Sequence, residues 1–250
     1  MLSKSTIKEI RSLRQKKYRQ KYHKIIVEGT RSVVDILHDH QAAVLAIYAS
    51  EDWLVSHQDI LKPPVEIEAI DPHVLASLST LTSPQDVIAI CRMPEQVADP
   101  AVVLSSLCLY LDGIRDPGNA GTIFRIADWF GIRTVFLSED TVDPFNPKVI
   151  QASMGSIFRI DCPTISLEAF RGLSSLQAWV TTMEGEDVFT AELSDSGLII
   201  LGNESVGVRE GHGLPSREIA IPRKHSSGAE SLNVAVAAGI ICAEFARRMS

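Results

Sequence analysis

Apolar and polar positions follow one another along this chain in two rhythms. Short unbroken apolar runs, such as LCLYL (107–111) and LIIL (198–201), have the length and composition of strands buried on both faces. Between them, apolar residues recur three and four apart, the spacing of a helix with one buried side. On this basis the first part of the chain predicts a helix over 6–20, a strand at KIIVEG (24–29), a helix over 30–39, a strand at AVLAIYAS (43–50), a helix over 52–61, a strand at VEIEAI (65–70), a helix over 72–79 and a strand over 86–92. The polar, proline-containing stretch PEQVADPAVV (94–103) then interrupts the pattern. Alternation resumes with a strand at 107–112, a helix at 119–131, a strand at RTVFLS (133–138), a helix at 147–154, a strand at IFRI (157–160) and a helix at 166–173. Strands at QAWVTTM (177–183), GLIILG (197–202) and around 219–221 follow, and a last helix runs from Ser231 to about Arg247. Strands alternating with helices predict an α/β fold with mostly parallel sheets, in two segments, 1–98 and 104–250.

A chain of 250 residues that is 45% hydrophobic can bury the core of one or two domains. No apolar run is long enough to span a bilayer, and the basic N-terminus lacks the apolar core of a secretory signal, so a cytoplasmic location is expected, with an organellar targeting helix as the minor alternative. Four widely spaced cysteines fit reduced thiols, and no Cys/His cluster suggests a metal. Charge changes the picture more. The net value is −7, yet residues 1–31 carry ten Lys/Arg against two acids, so a +8 segment precedes a −15 remainder. Arg14, Lys16, Lys17, Arg19 and Lys21, with Tyr18 and Tyr22 among them, form a basic arm suited to a phosphate backbone and to base stacking. Equally, Ile7, Ile10 and Leu13 fit one face of a helix packed down with its lysines in water.

The stretch LDGIRDPGNAGTIFRIADWFG (111–131) is a strand–turn–helix unit with a glycine-rich turn. A nucleotide-binding turn of an oxidoreductase is one possibility, since Glu139 and Asp140 end the next strand where a ribose-binding acid would stand. GIRDPGNAG lacks the G-x-G-x-x-G spacing, however, and reads better as a turn into a helix with Asn119 as the capping residue.

Two more stretches decide between these readings. LIILGNESVGV (198–208) is a buried strand ending in Gly-x-Glu-x-x-Gly, and IAIPRKHSSGAESLNVAVAAGI (219–240) is a short strand, a polar loop and Ser-Leu-Asn before a small-residue helix. With NAGTIFR (119–125), in this order, they resemble the SpoU (TrmH-like) family of RNA ribose 2′-O-methyltransferases. The first motif is Asn119, Gly121 and Arg125; the second Gly202, Glu204 and Gly207; the third Ile221-Pro222 with Ser231-Leu232-Asn233. Residues 10–37 and 81–91 resemble the substrate-binding domain often fused ahead of such catalytic domains, which is similar to ribosomal proteins that grip kinked RNA.

The resemblance implies a mostly parallel catalytic sheet with a deep trefoil knot, preceded by a smaller α/β RNA-binding domain. It implies S-adenosylmethionine as cofactor, held around Leu201, Gly202, Gly207, Ile221 and Leu232. It also implies an RNA substrate, ribosomal more than transfer RNA, and a homodimer. Asn119, Arg125, Glu204, Ser231 and Asn233 would form the catalytic cluster. Arg125 stands where the family's proposed base stands; holding a phosphate through its planar fork is the alternative role, because arginine is effectively always protonated. The loop RKHSSGAE (223–230) is longer than the family pattern, with Arg223 where methionine is common. Arg223 and Lys224 there are either a further basic patch for RNA or part of a solvated loop. A non-catalytic RNA-binding protein is the reading from another class, and the presence of all five cluster residues speaks against it.

Overall fold

The computed structural model describes residues 2–203, 205–209, 213–223 and 230–248. In chain order its helices are α1 (Lys4–Ser12), α2 (Lys16–Tyr22), α3 (Thr30–Asp39), α4 (Glu51–Ser56), α5 (Pro72–Leu78), α6 (Pro117–Trp129), α7 (Pro147–Ser153) and α8 (Val234–Arg248). Its strands are β1 (Lys24–Glu28), β2 (Val44–Ala49), β3 (Glu66–Ala69), β4 (Val87–Arg92), β5 (Leu107–Asp112), β6 (Val135–Leu137), β7 (Ala178–Asp187), β8 (Gly197–Gly202) and β9 (Arg217–Ala220). Three helices begin with the same local device, an Asp or Asn whose side chain caps the first turn followed at once by proline: Asp71-Pro72, Asp116-Pro117 and Asn146-Pro147. Proline lacks an N–H, and the first helical position has no acceptor for one, so the pair marks a helix start at no hydrogen-bonding cost.

The residues pack as two units: Met1–Glu95 with Asp143–Phe158, and Gln96–Val142 with Arg159–Ser250. In the first, the sheet order is β1-β4-β2-β3. Its β1/β4 and β4/β2 pairs are antiparallel and only β2/β3 is parallel. The expectation of mostly parallel sheets fails here, because periodicity reports which face a strand buries and not its direction. Ile10 and Leu13 are buried in one cluster with Ile26, Tyr48, Leu75, Leu78 and Ile88. The basic segment is therefore a structural part of this unit, not an arm beside it.

The helix expected over 6–20 is two helices, broken at 13–15. The break releases the Leu13 and Arg14 carbonyls, and the Arg19 guanidinium donates to both, at 2.8 and 2.9 Å. The same side chain, 3% exposed, pairs with Asp143. Helix α7 follows that aspartate and packs against β1 with Val149 and Ile150 buried.

In the second unit all five strands are parallel, in the order β6-β5-β8-β7-β9. Cys108, Tyr110, Leu198 and Ile200 pack against Phe136, Leu167, Phe170 and Leu176. Helix α8 packs on β8 and on α6, and its Phe245 meets Trp179 edge-on at 4.9 Å. The strand expected at IFRI is instead a 3-10 turn at Ser156–Phe158, and the helix over 166–173 shortens to a turn at Leu167–Phe170. Both runs bury apolar side chains, Ile157 and Ile160 in one and Leu167 and Phe170 in the other, and a few apolar residues cannot by themselves tell a strand from a turn.

All four cysteines are buried, and none forms a disulfide. Burial pushes the Cys108 and Cys242 thiols up to about 12 and Cys91 higher still. The native protein is expected to give almost no reaction with a thiol reagent at pH 8 and four thiols after denaturation, a difference read directly from absorbance.

Candidate functional site

The site forms at the carboxyl ends of the parallel strands in the second unit. β5 and β8 are neighbours in register, with Asp112 opposite Gly202. After β5 the chain moves to β6 on one side, and after β8 it moves to β9 beyond β7 on the other. Such a reversal leaves a crevice at the strand ends, where open α/β sheets place their ligands.

Motif one begins as β5 ends. Gly113, at φ +69°, donates its N–H toward the hydroxyls of Ser138 (2.9 Å) and Thr141 (3.1 Å). Its carbonyl accepts from the Asn203 amide at 2.9 Å. Asp116, not Asn119, caps α6, accepting the Asn119 N–H at 2.8 Å. The Asn119 side chain instead turns to the last helix, its oxygen accepting from the Asn233 amide at 2.9 Å. Asn233 in turn caps α8, its oxygen accepting from the Ala235 and Val236 N–H groups at 2.9 and 3.3 Å. The last helix therefore starts at Val234 rather than Ser231.

Motif two is a tight loop. Asn203 and Gly207 exchange main-chain hydrogen bonds of 3.1 and 2.8 Å, and Gly207 sits at φ +76°. Beyond it, Arg209 closes the loop onto β5. Its N–H and Nε each donate to Asp112 at 2.7 Å, and its guanidinium also pairs with Asp140 at 2.7 Å. Asp112 is 2% exposed, so a buried carboxylate ties motif one to motif two across 97 residues. Burial alone would raise the Asp140 carboxyl; the Ser138 hydroxyl, Arg115 and Arg209 outweigh it and hold Asp140 below the ordinary range. The Asp140 carboxylate thus serves the Arg209 tie between motif one and motif two.

Arg209→Met leaves Asp112 without its cation. Because the arginine is 54% exposed, the expected loss is about 1–2 kcal/mol, below the 3–5 typical of a fully enclosed pair, measurable by urea unfolding. Asp112→Asn, which removes the charge as well, is expected to cost less than Arg209→Met.

Residues 106–243 match the SpoU rRNA methylase family, more than half of the chain. The chain belongs to that family. It is an RNA methyltransferase by class. Residues 4–89 match the MRM3-like substrate-binding domain. A Bacillus subtilis relative, the 23S rRNA (guanosine(2553)-2′-O)-methyltransferase RlmP, is 28% identical over 246 residues, covering 94% of this chain and 93% of its own. Among solved structures, a TrmH-family protein from Porphyromonas gingivalis is 33% identical with a TM-score of 0.86, covering 99% of both chains. An AdoMet-bound rRNA methyltransferase from Sinorhizobium meliloti is 28% identical with a TM-score of 0.79, covering 100% of this chain and 96% of the other. The α/β fold, the parallel catalytic sheet and the family expected from the three motifs are all found.

Within this SpoU-family frame, Asn119 and Asn233 meet, and Gly202 ends the strand beside Asp112. Arg125 lies farther along α6, exposed, with no hydrogen bond or ion pair among the described residues. The pairing of Arg125 with Asp128 that adjacency suggests is not formed, since Asp128 binds Arg159 at 2.8 Å. Ser231 is exposed and makes no hydrogen bond among the described residues. Leu201 is buried, Ile221 half-buried, Leu232 47% exposed and Arg223 exposed. Glu204 and Lys224 lie outside the described residues.

In the first unit, Arg14, Lys16, Lys17 and Lys21 are exposed. Arg19 is the correction: it is buried and spends its charge on Asp143 and two carbonyls, so it offers nothing to RNA. Tyr18 and Tyr22 stack on each other at 6.1 Å. Sequence reasoning passed over Asp112 and Arg209. The available signal was a carboxylate ending the otherwise apolar run LCLYLD, a charge that demands a partner once the strand is buried.

Proposed function

We propose that this protein transfers a methyl group from S-adenosylmethionine to a ribose 2′-hydroxyl of ribosomal RNA, as a cytoplasmic homodimer. The observation that carries the reading is the Asn233–Asn119 hydrogen bond. It joins motif one to motif three across 114 residues, at the end of the sheet where motif two closes on Asp112. The 23S rRNA activity in the B. subtilis relative's name and the AdoMet bound to the S. meliloti protein favour this substrate and cofactor. No described helix is long and apolar enough to cross a membrane.

The residues present fit the cofactor. The main-chain groups of Ile221 and Leu232 make none of the hydrogen bonds found among the described residues, and both side chains are partly exposed apolar surface. Adenine needs that combination, an apolar slot with a few free backbone donors and acceptors. Leu201, Gly202 and Gly207 would complete the rim. When bound, S-adenosylmethionine supplies a sulfonium methyl, an electrophile that needs no metal. The chain's task is to bring the 2′-oxygen into line with it and ease away the hydroxyl proton. Arg125, charged and unpaired, would hold the neighbouring phosphate through its planar fork and so orient the ribose. Asn119 and Asn233, already locked together, would present amide groups at fixed positions, with Glu204 and Ser231 in the same cluster.

Residues 1–98 would grip the RNA, with Arg14, Lys16, Lys17, Lys21, Arg223 and Lys224 as phosphate contacts, and residues 104–250 would carry the chemistry. A return from β9, at one edge of the sheet, to the start of α6 is consistent with a trefoil knot. The dimer reading rests on α6 and α8, which expose Trp129 at 84%, Val236 at 52% and, just before α8, Leu232 at 47%. Large exposed apolar side chains on packed elements mark interaction surfaces. Arg125, one turn before Trp129, would then stand at the interface.

The test is a map of 2′-O-methyl groups in total RNA from cells with and without the gene. One ribosomal position is expected to lose its methyl group, and purified protein with S-adenosylmethionine should restore it. A loss confined to transfer RNA, or tight NAD binding with none of S-adenosylmethionine, would overturn the reading.

A further inference from the structure

The first unit contains a groove of about 380 Å³ that the catalytic reading leaves unused. Arg14 and Lys148 supply its cations, Thr82 and Asn146 are among its polar lining residues, and none of the described lining residues is a carboxylate.

Its walls are built by two buried charges. Glu28, 7% exposed, accepts the Thr80 N–H at 2.8 Å and the hydroxyls of Ser79 and Thr80, which fixes the loop after α5. Arg14 Nη2 donates to the Ser79 and Leu78 carbonyls at 2.7 and 3.2 Å, which clamps the same loop from the other side. Arg19 then ties Arg14 to the opposite wall, since it bonds the Arg14 carbonyl and pairs with Asp143. The Asp143 carbonyl accepts the Asn146 N–H at 2.9 Å, and the Asn146 side-chain oxygen accepts the Lys148 N–H at 3.0 Å.

Free donors remain after these bonds are made. All three Arg14 contacts use Nη2, so its other N–H groups are open. Lys148 is exposed and makes no ion pair among the described residues. The Asn146 amide nitrogen donates to nothing among them. Exposed Lys16 and Lys17 follow Arg14 in the chain.

We propose that this groove binds a phosphodiester of the substrate RNA, with Lys148 and Arg14 as its two cationic contacts. The proposal rests on the reading of the protein as an RNA methyltransferase and adds a backbone-binding site that includes a residue from outside the basic N-terminal segment. Two cations and a neutral amide donor, with Arg14 anchored by its Nη2 bonds and no acid among the described lining residues, suit a singly charged bridging phosphate. They select for backbone and not for base.

Lys148 is the residue to change, because it holds nothing else in place. Binding of protein-free 23S rRNA is measured by filter retention at several salt concentrations, alongside calorimetry with S-adenosylmethionine and a methyl-transfer assay. Lys148→Glu is expected to weaken RNA binding by about tenfold or more and to reduce the salt slope by about one. It should raise the KM for RNA, leave kcat at saturating RNA unchanged and leave cofactor affinity unchanged. Lys148→Arg should keep most of the affinity. Unchanged RNA affinity in Lys148→Glu overturns the proposal, as does competition showing that inorganic phosphate fills the groove without displacing RNA. A wild-type protein that neither binds nor methylates rRNA defeats the functional reading itself, and so is distinguishable from failure of the groove alone.

Discussion

Gly202→Ala is expected to lose cofactor binding and much of its thermal stability. A Cβ at this position would lie 2.3 Å from the Gly207 carbonyl carbon and the Val208 nitrogen, and 2.7 Å from the Gly207 oxygen. These are main-chain atoms, and they cannot step aside as the tip of a side chain can. The loop that would have to move is fixed at both ends, by the Asn203–Gly207 hydrogen bonds and by Arg209 on Asp112. One methyl group therefore forces either a shift of β8 or an opening of motif two. The expected destabilisation is about 3 kcal/mol, the upper end for inserting volume into a packed site, or roughly 6–12 °C in Tm for a chain of this size. Gly172→Ala is the control, since a Cβ there meets nothing within 4 Å, and it should change stability by less than about 0.5 kcal/mol. Scanning calorimetry and a titration with S-adenosylmethionine read both effects. Wild-type melting of Gly202→Ala would mean that the loop does not lie against the strand end.

Arg125→Ala is expected to lower methyl transfer by at least about 100-fold while folding and cofactor binding survive. Survival follows from exposure: the side chain holds no partner among the described residues, and surface changes of this kind typically alter stability by less than about 0.5 kcal/mol. The loss follows from geometry, since a phosphate gripped by two parallel N–H groups fixes the ribose, and a misplaced nucleophile costs on the order of 100-fold. Arg125→Lys separates the two roles open to the residue. Lysine keeps the charge and loses the fork, so an orienting role predicts a variant nearly inactive at every pH. A base would instead show a rate that rises as the lysine loses its proton. Single-turnover transfer across pH 6–10 tells the two apart, and near wild-type rates for Arg125→Ala would remove the residue from the site.

The catalytic half was the more legible half of the chain. Its central strands β5 and β8 are buried on both faces, so LCLYL and LIIL stand out as unbroken apolar runs, and motifs one and two follow where those runs stop. The first unit was harder. Its strands run in mixed directions, and its basic segment hid a distinction that no count of charges can make, since Arg14 stands exposed in the break between α1 and α2 while Arg19 is turned inward from α2. The Asp112–Arg209 tie was illegible for another reason. The run LCLYLD marks Asp112 as a charge in need of a partner, but nothing near it points to Arg209, and only the pairing of β5 with β8 brings the two together. Asn119 illustrates the same limit at close range. Asp116 and Asn119 are both good capping residues, and the proline after Asp116 decides which one takes the role.

The placement of 143–158 with the first unit bears on how the protein is made. A ribosome delivers the chain from its N-terminus, and domains commonly fold as they emerge. Here Arg19 waits for Asp143, and β1 waits for Val149 and Ile150, until some fifty residues beyond the end of β4 have been synthesised. Until then a guanidinium that ends up almost fully enclosed has no counter-charge, and an apolar face of the nascent sheet stays wet. An excised 1–98 fragment would carry the same two defects permanently. Grafting the 143–158 segment back onto it, in place or as a free peptide, is the route to a first unit that stands alone.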